Sequence, residues 1–341
     1  GVCVSKHFKP DDIGDPYATY ITGNHPVPGE GSLKAGIEIR NVLSGLTEDD
    51  VVLLLVSGGG SSLVTSPVEG VTLGDIQTVT STLLRSGATI AELNSVRKHL
   101  DMIKGGGLVR LAAPAKVAAL VLSDVVGDPL EVIASGPAYP DPTTFADALA
   151  VLGKAAKHGS VPGSIHRHMV KGVEGKIPET LKADEPDAGL GFKTIIASNK
   201  DACAAAVAMA RKLGFSAEIV SESLVGEART AGVQIAATAR SRAALRKPFM
   251  LIWGGETTVT VTGKGKGGRN LELALASVKG MAGLAATHLL TLATDGEDGP
   301  TDAAGAVVSG DTLEKATKLG LSPDDYLWNN DSYEFFSQLG D

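Results

Sequence analysis

The chain has 341 residues, 43% of them hydrophobic and 21% charged, with a formal net charge of −8. That length exceeds what one hydrophobic core usually serves, so two domains are expected, and the 31 Lys and Arg lie scattered among 39 Asp and Glu without the basic stripe that nucleic-acid binding needs. The two cysteines, Cys3 and Cys203, are too few and too far apart for a zinc site or a disulfide framework, and no apolar run is long enough to cross a membrane. Neither nucleic acid nor membrane is an expected partner. A small anionic ligand stays open, because backbone N–H groups and one or two cations suffice to hold it even in an acidic protein.

Along the chain, Gly1–Ser5 reads as a strand already under way. Val51–Val56 is six consecutive aliphatics stopped by glycine, the pattern of a parallel strand buried on both faces. Leu73–Ser86 and Ile90–Met102 read as helices, the first with Thr72 as its cap, and Val117–Leu122 is a second aliphatic strand. Strand, glycine loop, helix and strand in that order are the doubly wound α/β signature, which binds ligands at the C-terminal ends of its strands. Lys154–Lys193 carries Pro162, Pro178 and Pro186 with weak periodicity, so the domain hinge is expected there. A second α/β half follows, with strands at Thr194–Ala197, Ser216–Val220, Phe249–Trp253, Thr257–Thr262 and His288–Ala293. Its helices are expected at Asp201–Leu213, Gly226–Leu245, Leu271–Leu284 and Thr312–Leu319.

The polar loops at the strand ends carry the chemistry. Ser57-Gly58-Gly59-Gly60-Ser61-Ser62 follows the first aliphatic strand, and its glycines either allow close backbone approach to an anion or simply make a tight turn. Arg97 and Lys98, with Lys104-Gly105-Gly106-Gly107 a few residues on, form either a phosphate or carboxylate clamp or a solvated charged face. Ser123-Asp124-Val125-Val126-Gly127-Asp128 places two carboxylates at a strand end; Asp124 is the preferred base, whereas Asp128 either binds Mg²⁺ or caps a helix ahead of Pro129. In the second half, Gly254-Gly255-Glu256, the Gly263–Asn270 loop with Arg269, and Thr294–Asp302 look like parts of one assembled site. Arg269 sits where a helix dipole disfavours a cation, which points to an anion clamp. The chain lacks G-x-x-x-x-G-K-[ST], a G-x-G-x-x-G opening a βα turn and G-x-S-x-G, which excludes a P-loop NTPase and argues against nicotinamide and α/β-hydrolase sites.

Several strings occur together and in a family's order: HPVP at His25, LVSGGGSSL at Leu55, SGATIAELNSVRKHL at Ser86, KGGGL at Lys104 and SDVVGDPLEVIASGP at Ser123. They continue with DPTTF at Asp141, GEAR at Gly226, GGETTVTVTGKGKGGRNLELALA at Gly254, TDGEDGPTDAAGAVV at Thr294 and NDSY at Asn330. Over nearly its whole length the chain resembles the glycerate 2-kinase family, whose C-terminal portion is known as the MOFRL domain. The resemblance implies a Rossmann-like, doubly wound N-terminal domain over residues 1–185 and a MOFRL-type α/β domain over residues 190–341, with the active site in the cleft between them. It implies transfer of the γ-phosphoryl group of ATP, with Mg²⁺, to the 2-hydroxyl of D-glycerate. Family members begin with a further strand and a G-K-A motif whose lysine is taken as catalytic, and they close on T-G-x-T-x-T-N-V. The present sequence starts after the first and stops before the second, and it carries Asp101 where the family usually has serine.

On this resemblance Asp124, Arg269 and Lys104 are the expected catalytic residues. Ser57, Gly58, Gly59, Gly60, Ser61, Arg97, Gly105 and Gly106 are expected to bind substrate or phosphate. Gly255, Glu256, Asp295 and Asp298 are expected at the nucleotide, and Asp128 at the metal. The cytoplasm is the expected location, with mitochondria left open, and a homodimer is the assembly considered. Two alternatives stay in view, a hydroxypyruvate reductase using a nicotinamide and a non-catalytic sensor of small anions.

Overall fold

The aliphatic runs of the first half become parallel strands in a computed structural model, which describes residues 1–8, 14–189, 191–243 and 248–340. The chain divides into two units, Gly1–Ser198 and Asn199–Asp341. In the first unit, β1 (Val2–Ser5) pairs in parallel with β2 (Thr19–Thr22), and α1 (Glu30–Leu43) follows. Next come β3 (Val51–Val56), the one-turn α2 (Gly60–Leu63), α3 (Leu73–Arg85), α4 (Ile90–Lys98), α5 (Gly107–Ala112) and β4 (Lys116–Leu122). The unit ends with α6 (Phe145–Ala155), α7 (Gly163–Val173) and β5 (Phe192–Ala197), and β3, β4 and β5 form a parallel sheet in that order.

The second unit opens with α8 (Asn199–Lys212), β6 (Ser216–Leu224), α9 (Ala228–Arg242) and β7 (Phe249–Gly255), with β6 and β7 parallel. It continues with α10 (Arg269–Met281), then β8 (His288–Leu290) paired antiparallel with β9 (Val307–Ser309). Three helices close it: α11 (Thr312–Lys318), α12 (Pro323–Trp328) and α13 (Ser332–Leu339). Both units are mixed α/β with parallel pairing.

Local chemistry accounts for the element ends. The Thr72 hydroxyl accepts from the Asp75 amide while the Asp75 carboxylate accepts from the Thr72 amide, a reciprocal cap that starts α3 as the sequence indicates. Thr89 with Glu92 and Thr144 with Asp147 do the same for α4 and α6. The apolar faces of α3, α4, α6 and α7 meet in one cluster containing Leu83, Val96, Leu152, Ile165 and Met169. A second cluster joins α5 to β4 through Val109, Ala112, Val117 and Ala119. In the second unit α9 presents Ala228, Ala231, Gly232, Ile235 and Ala236 to α10. A Cβ at position 232 would lie 2.2 Å from the Leu273 carbonyl oxygen, so the close approach of these helices requires glycine there.

Several expectations need correction. β3 is not buried on both faces: Val52, Leu54 and Val56 turn inward, while Val51, Leu53 and Leu55 are exposed. The segment expected as a hinge contains α7, whose Ile165 and Met169 are fully buried. Thr194–Ala197, assigned to the second half, is part of β5 and pairs with β4 in the first unit. α4 stops at Lys98 because the following residues leave the helix, Asp101 forming a bridge with Pro67. Thr257–Thr262 alternates like a strand but has no partner strand among the described residues. It makes one isolated bridge, Thr258 with Glu227, and polar side chains take two further amides, Glu227 accepting from Thr260 at 3.3 Å and Asn330 from Thr262 at 2.8 Å. The helix expected at Gly226–Leu245 is α9, and its last two residues lie outside the described residues.

Leu83 is fully buried in the four-helix cluster. Leu83→Ala is expected to cost about 2–5 kcal/mol of stability, read as a lowered midpoint in urea unfolding followed by far-UV circular dichroism.

Candidate active site

In the first unit the expected loops at the C-terminal ends of β3 and β4 come together. α2 begins at Gly60 behind Gly59, which holds φ +78° as its N-cap, so the chain turns sharply out of β3. A Cβ at position 58 would lie 2.1 Å from Asp124 Oδ2, so the glycine lets the loop backbone rest against that carboxylate. A Cβ at position 60 would lie 2.8 Å from the Ala134 Cβ, and one at position 59 would lie 3.6 Å from the His25 ring. Ser57–Ser62, Asp124, Ala134 and His25 are therefore one neighbourhood.

Arg97 enters it from the last turn of α4, donating from Nη1 to Ser61 Oγ at 3.3 Å. Burial pushes its pKa down to about 10, with only the charge of Asp101 opposing that shift. Desolvation with little compensation suits a cation that awaits an anion. Partial burial lowers the pKa of His25, and the charges of Lys6 and Arg97 add to the effect, so these cationic groups stand near one another. Ser61 Oγ lies 2.6 Å from Ser135 Oγ, and the Ser135 hydroxyl donates to Asn94 Oδ1 at 3.0 Å.

Lys104, Gly105 and Gly106 are placed differently from expectation. Lys104 is buried and its ammonium donates to Asp101 Oδ2 at 2.6 Å and to the Val64 carbonyl at 2.8 Å, so the cation expected to reach phosphate is held inside the fold. The Gly105 amide donates to the Ser135 carbonyl at 3.0 Å and the Gly106 amide to the Gly136 carbonyl at 2.8 Å, so both expected donors are in use. Arg97, Lys98 and Lys104 do not share a face. Lys98 is buried on Asp141 at 3.1 Å, and Lys104 is buried on Asp101. Asp128 sits on a left-handed turn, φ +54°, its amide donating to the Val125 carbonyl at 3.1 Å. Among the described residues no three His, Cys, Asp or Glu side chains gather to hold a metal.

The second unit brings Arg269 and Glu256 together. The Arg269 guanidinium, at the start of α10, donates to the Glu256 carboxylate just beyond β7, and both side chains are partly open to solvent. The loop before α10 is clamped from the chain's last segment. Asn329 Oδ1 accepts from the Lys264 amide at 3.1 Å, Asn330 Oδ1 from the Gly263 amide at 2.9 Å and Asp331 Oδ1 from the Lys266 amide at 2.9 Å. Cβ atoms at positions 263, 265 and 267 would lie within 2.3 Å of atoms in that segment, so these glycines serve close approach. Asp298 is not available to a nucleotide: it is 1% exposed, and it caps α10 by accepting from the Asn270 amide at 3.1 Å and the Leu271 amide at 2.8 Å. Asp295 is exposed and accepts from the Glu297 amide at 3.3 Å in a tight turn. Gly255 carries φ +152° and packs on Leu224, a Cβ there falling 2.1 Å from the Leu224 carbonyl oxygen.

His25, Asn94 and Ser135 belong to the first neighbourhood without having been given a role from sequence. Their only signals are loop motifs, His25-Pro26 and Ser135-Gly136-Pro137, and a polar residue on a buried helix face; none carries a spacing that specifies chemistry.

The fold defines a mixed α/β protein whose glycine loops gather at the ends of parallel strands, the place where such sheets hold ligands. Residues 1–170 match the family model described as Domain of unknown function (DUF4147), and residues 249–341 match the MOFRL family. The D-glycerate 2-kinase of Thermotoga maritima is 44% identical over 344 residues, an alignment covering 100% of this chain and 79% of the relative. The glycerate 2-kinase of Pyrococcus horikoshii is 42% identical over 325 residues, covering 94% of this chain and 73% of the relative. The crystal structure of glycerate kinase from Thermotoga maritima matches with a TM-score of 0.86 over 100% of this chain and 80% of that one. The chain belongs to the glycerate 2-kinase family, and it carries the DUF4147 and MOFRL segments in one polypeptide.

The buried Asp101–Lys104 pair gives one test of the geometry. Burial raises the Asp101 pKa, but Lys104 and the amides of Ile103 and Ser66 outweigh it and hold the carboxyl below the usual range. Its contribution to stability is then complete above the unfolded carboxyl pKa of about 4 and is lost as pH falls through the folded value. Asp101→Asn leaves the Lys104 charge uncompensated and is expected to cost about 3–5 kcal/mol, measured by urea unfolding at neutral pH. Asp298→Ala, which removes the cap of α10, is expected to cost about 1–2 kcal/mol. Both tryptophans, Trp253 and Trp328, lie in the second unit, so their fluorescence during urea unfolding reads that loss directly.

Proposed function

We infer that the protein is an ATP-dependent glycerate 2-kinase, which phosphorylates the 2-hydroxyl of D-glycerate to give 2-phospho-D-glycerate. Membership of the family supports the reaction, and the contact of the Asp124 carboxylate with Gly58 carries its assignment to this site. A carboxylate lodged against a glycine loop at a strand end is placed to take the proton of a hydroxyl whose neighbouring oxyanions meet cationic groups. Arg97 supplies that charge together with the Ser57–Ser62 loop. Lys104 acts from beneath, holding the turn that follows α4.

The first unit is read as the Rossmann-like domain and the second as the MOFRL-type domain. Arg269 leaves Glu256 for an anionic group of the bound substrates, and Glu256, Gly255 and Asp295 face the nucleotide. Mg²⁺ comes with ATP. Such an ion needs no preformed all-protein cage, and Asp128 or Glu256 would hold it on the protein side. Bound there, the ion would neutralise charge on the transferring phosphoryl group, and the side chains would position the hydroxyl. No helix among the described residues is long and apolar enough to cross a membrane. The cytoplasm is the proposed location.

In the full-length protein, Asp124→Asn is expected to lower D-glycerate-dependent ADP formation by roughly 10²–10⁴-fold with an unchanged far-UV circular dichroism spectrum. Wild-type turnover in that variant removes Asp124 from the base role.

A further inference from the structure

Hydroxyl groups have one proton each, and that gives the hydrogen-bond chain behind Arg97 a direction. The Asn94 amide nitrogen points at the Val132 carbonyl at 3.5 Å, which leaves Asn94 Oδ1 facing Ser135. The Ser135 hydroxyl donates its proton to Asn94 Oδ1 at 3.0 Å. In the 2.6 Å contact between Ser135 Oγ and Ser61 Oγ, Ser135 must then accept and Ser61 donate. With its proton committed inward, Ser61 Oγ turns a lone pair to Arg97 Nη1, which donates to it at 3.3 Å. Asn94 and Ser135 are 3% and 0% exposed, so solvent does not scramble the chain.

The backbone holds this arrangement against its own preference. Ala134, Ser135 and Gly136 all lie in the left-handed region, at φ +51°, +63° and +62°, a conformation costly for the two residues that carry a Cβ. The amides of Gly105 and Gly106 fix it by donating to the Ser135 and Gly136 carbonyls. Strain held in place beside a partly buried cation points to function more than to packing.

We propose that Asn94 and Ser135 are positioning residues that aim the Arg97 guanidinium through Ser61, and that Arg97, not Ser61, binds the carboxylate of D-glycerate. This rests on the kinase reading. Ser61 has no proton left to give an anion, whereas the guanidinium keeps donors beyond the one it gives Ser61. The substrate part follows from position: Asp124 stands on Gly58 and Arg97 on Ser61, three residues along one loop. The hydroxyl and carboxylate of glycerate are likewise on adjacent carbons. A carboxylate that does not react is bound alike before and during transfer, so loosening its anchor raises KM and leaves kcat in place.

The test uses the full chain in an ADP-release assay with D-glycerate and ATP varied separately. Ser135→Ala and Ser61→Ala are each expected to raise the KM for D-glycerate about 10-fold, with kcat and the KM for ATP unmoved, and Ser61→Thr to restore it. Arg97→Ala combined with Ser135→Ala should be no worse than Arg97→Ala alone, because both remove one chain of contacts. A rise in the KM for ATP, or full additivity with Arg97→Ala, overturns the proposal. Where a variant melts early, calorimetric titration of D-glycerate at low temperature reads the same anchor without turnover. If the wild type releases no ADP, the kinase reading fails by itself. The positioning role then stands or falls on whether inorganic phosphate binds more weakly, to the same degree, in Ser135→Ala and Arg97→Ala.

Discussion

The first unit is organised around the buried Asp101–Lys104 ion pair. Asp101 and Lys104 are both nearly inaccessible, and two charges in such a place persist only when their remaining hydrogen-bonding capacity is met. The Asp101 carboxylate accepts from the Thr65 hydroxyl at 2.8 Å and the amides of Ser66 and Ile103 at 3.0 and 2.9 Å, and Lys104 reaches the Val64 carbonyl. Those bonds tie the segment after α2 to the segment after α4. The glycine loop of β3 and the last turn of α4 are consequently fixed to each other, and Arg97 meets Ser61 because of it. Each bond alone is worth about 1 kcal/mol; their joint effect is geometric, since none can be satisfied with the segments elsewhere.

The second unit solves the same problem around Glu272. This buried carboxylate accepts from Arg229 Nε at 3.0 Å and from Asn330 Nδ2 at 3.1 Å, and Asn330 in turn holds the amides of Thr262 and Gly263. The glycine-rich loop that precedes α10 is thus pinned by side chains from the far end of the chain. Asp298 grips the first turn of α10 from another loop. Arg269 therefore projects from a fixed helix start, where its own charge opposes the helix dipole and, among the described residues, is met by Glu256. A cation kept in an unfavourable field beside a partly exposed carboxylate can be drawn to a more highly charged anion at little cost.

Much of the fold was readable because its strands are aliphatic and its helices are capped by threonine and acid pairs. Val51–Val56, Thr72 and the helix at Leu73 follow from periodicity and cap chemistry alone. The strand expected at Thr257–Thr262 misled for a physical reason: alternating threonines fit a pleated sheet, but pairing stops at one bridge, Thr258 with Glu227, and side chains far along the sequence take the amides of Thr260 and Thr262. The site divided the same way. Asp124 and Ser57–Ser62 stand at strand ends, where topology puts ligands, and the fold brings them together. Lys104 and Asp298 could not be assigned from sequence, because a lysine beside glycines and an aspartate in a polar loop read alike whether exposed or buried.

The glycine runs teach the sharpest version of that point. A run of glycines suggests amides free to cradle phosphate, yet Gly105 and Gly106 donate to carbonyls within the fold, and Gly263, Gly265 and Gly267 make room for Asn329, Asp331 and Ser332. In Gly58–Gly60 close approach brings the Asp124 carboxylate and the His25 ring onto a loop at a strand end. Glycine reports that something must come near, and burial of the partner decides whether that something is structure or substrate. A protein with net charge −8 can in this way serve an anionic substrate. The field that matters is set within a few ångströms by a desolvated guanidinium, and water and salt screen the distant acids.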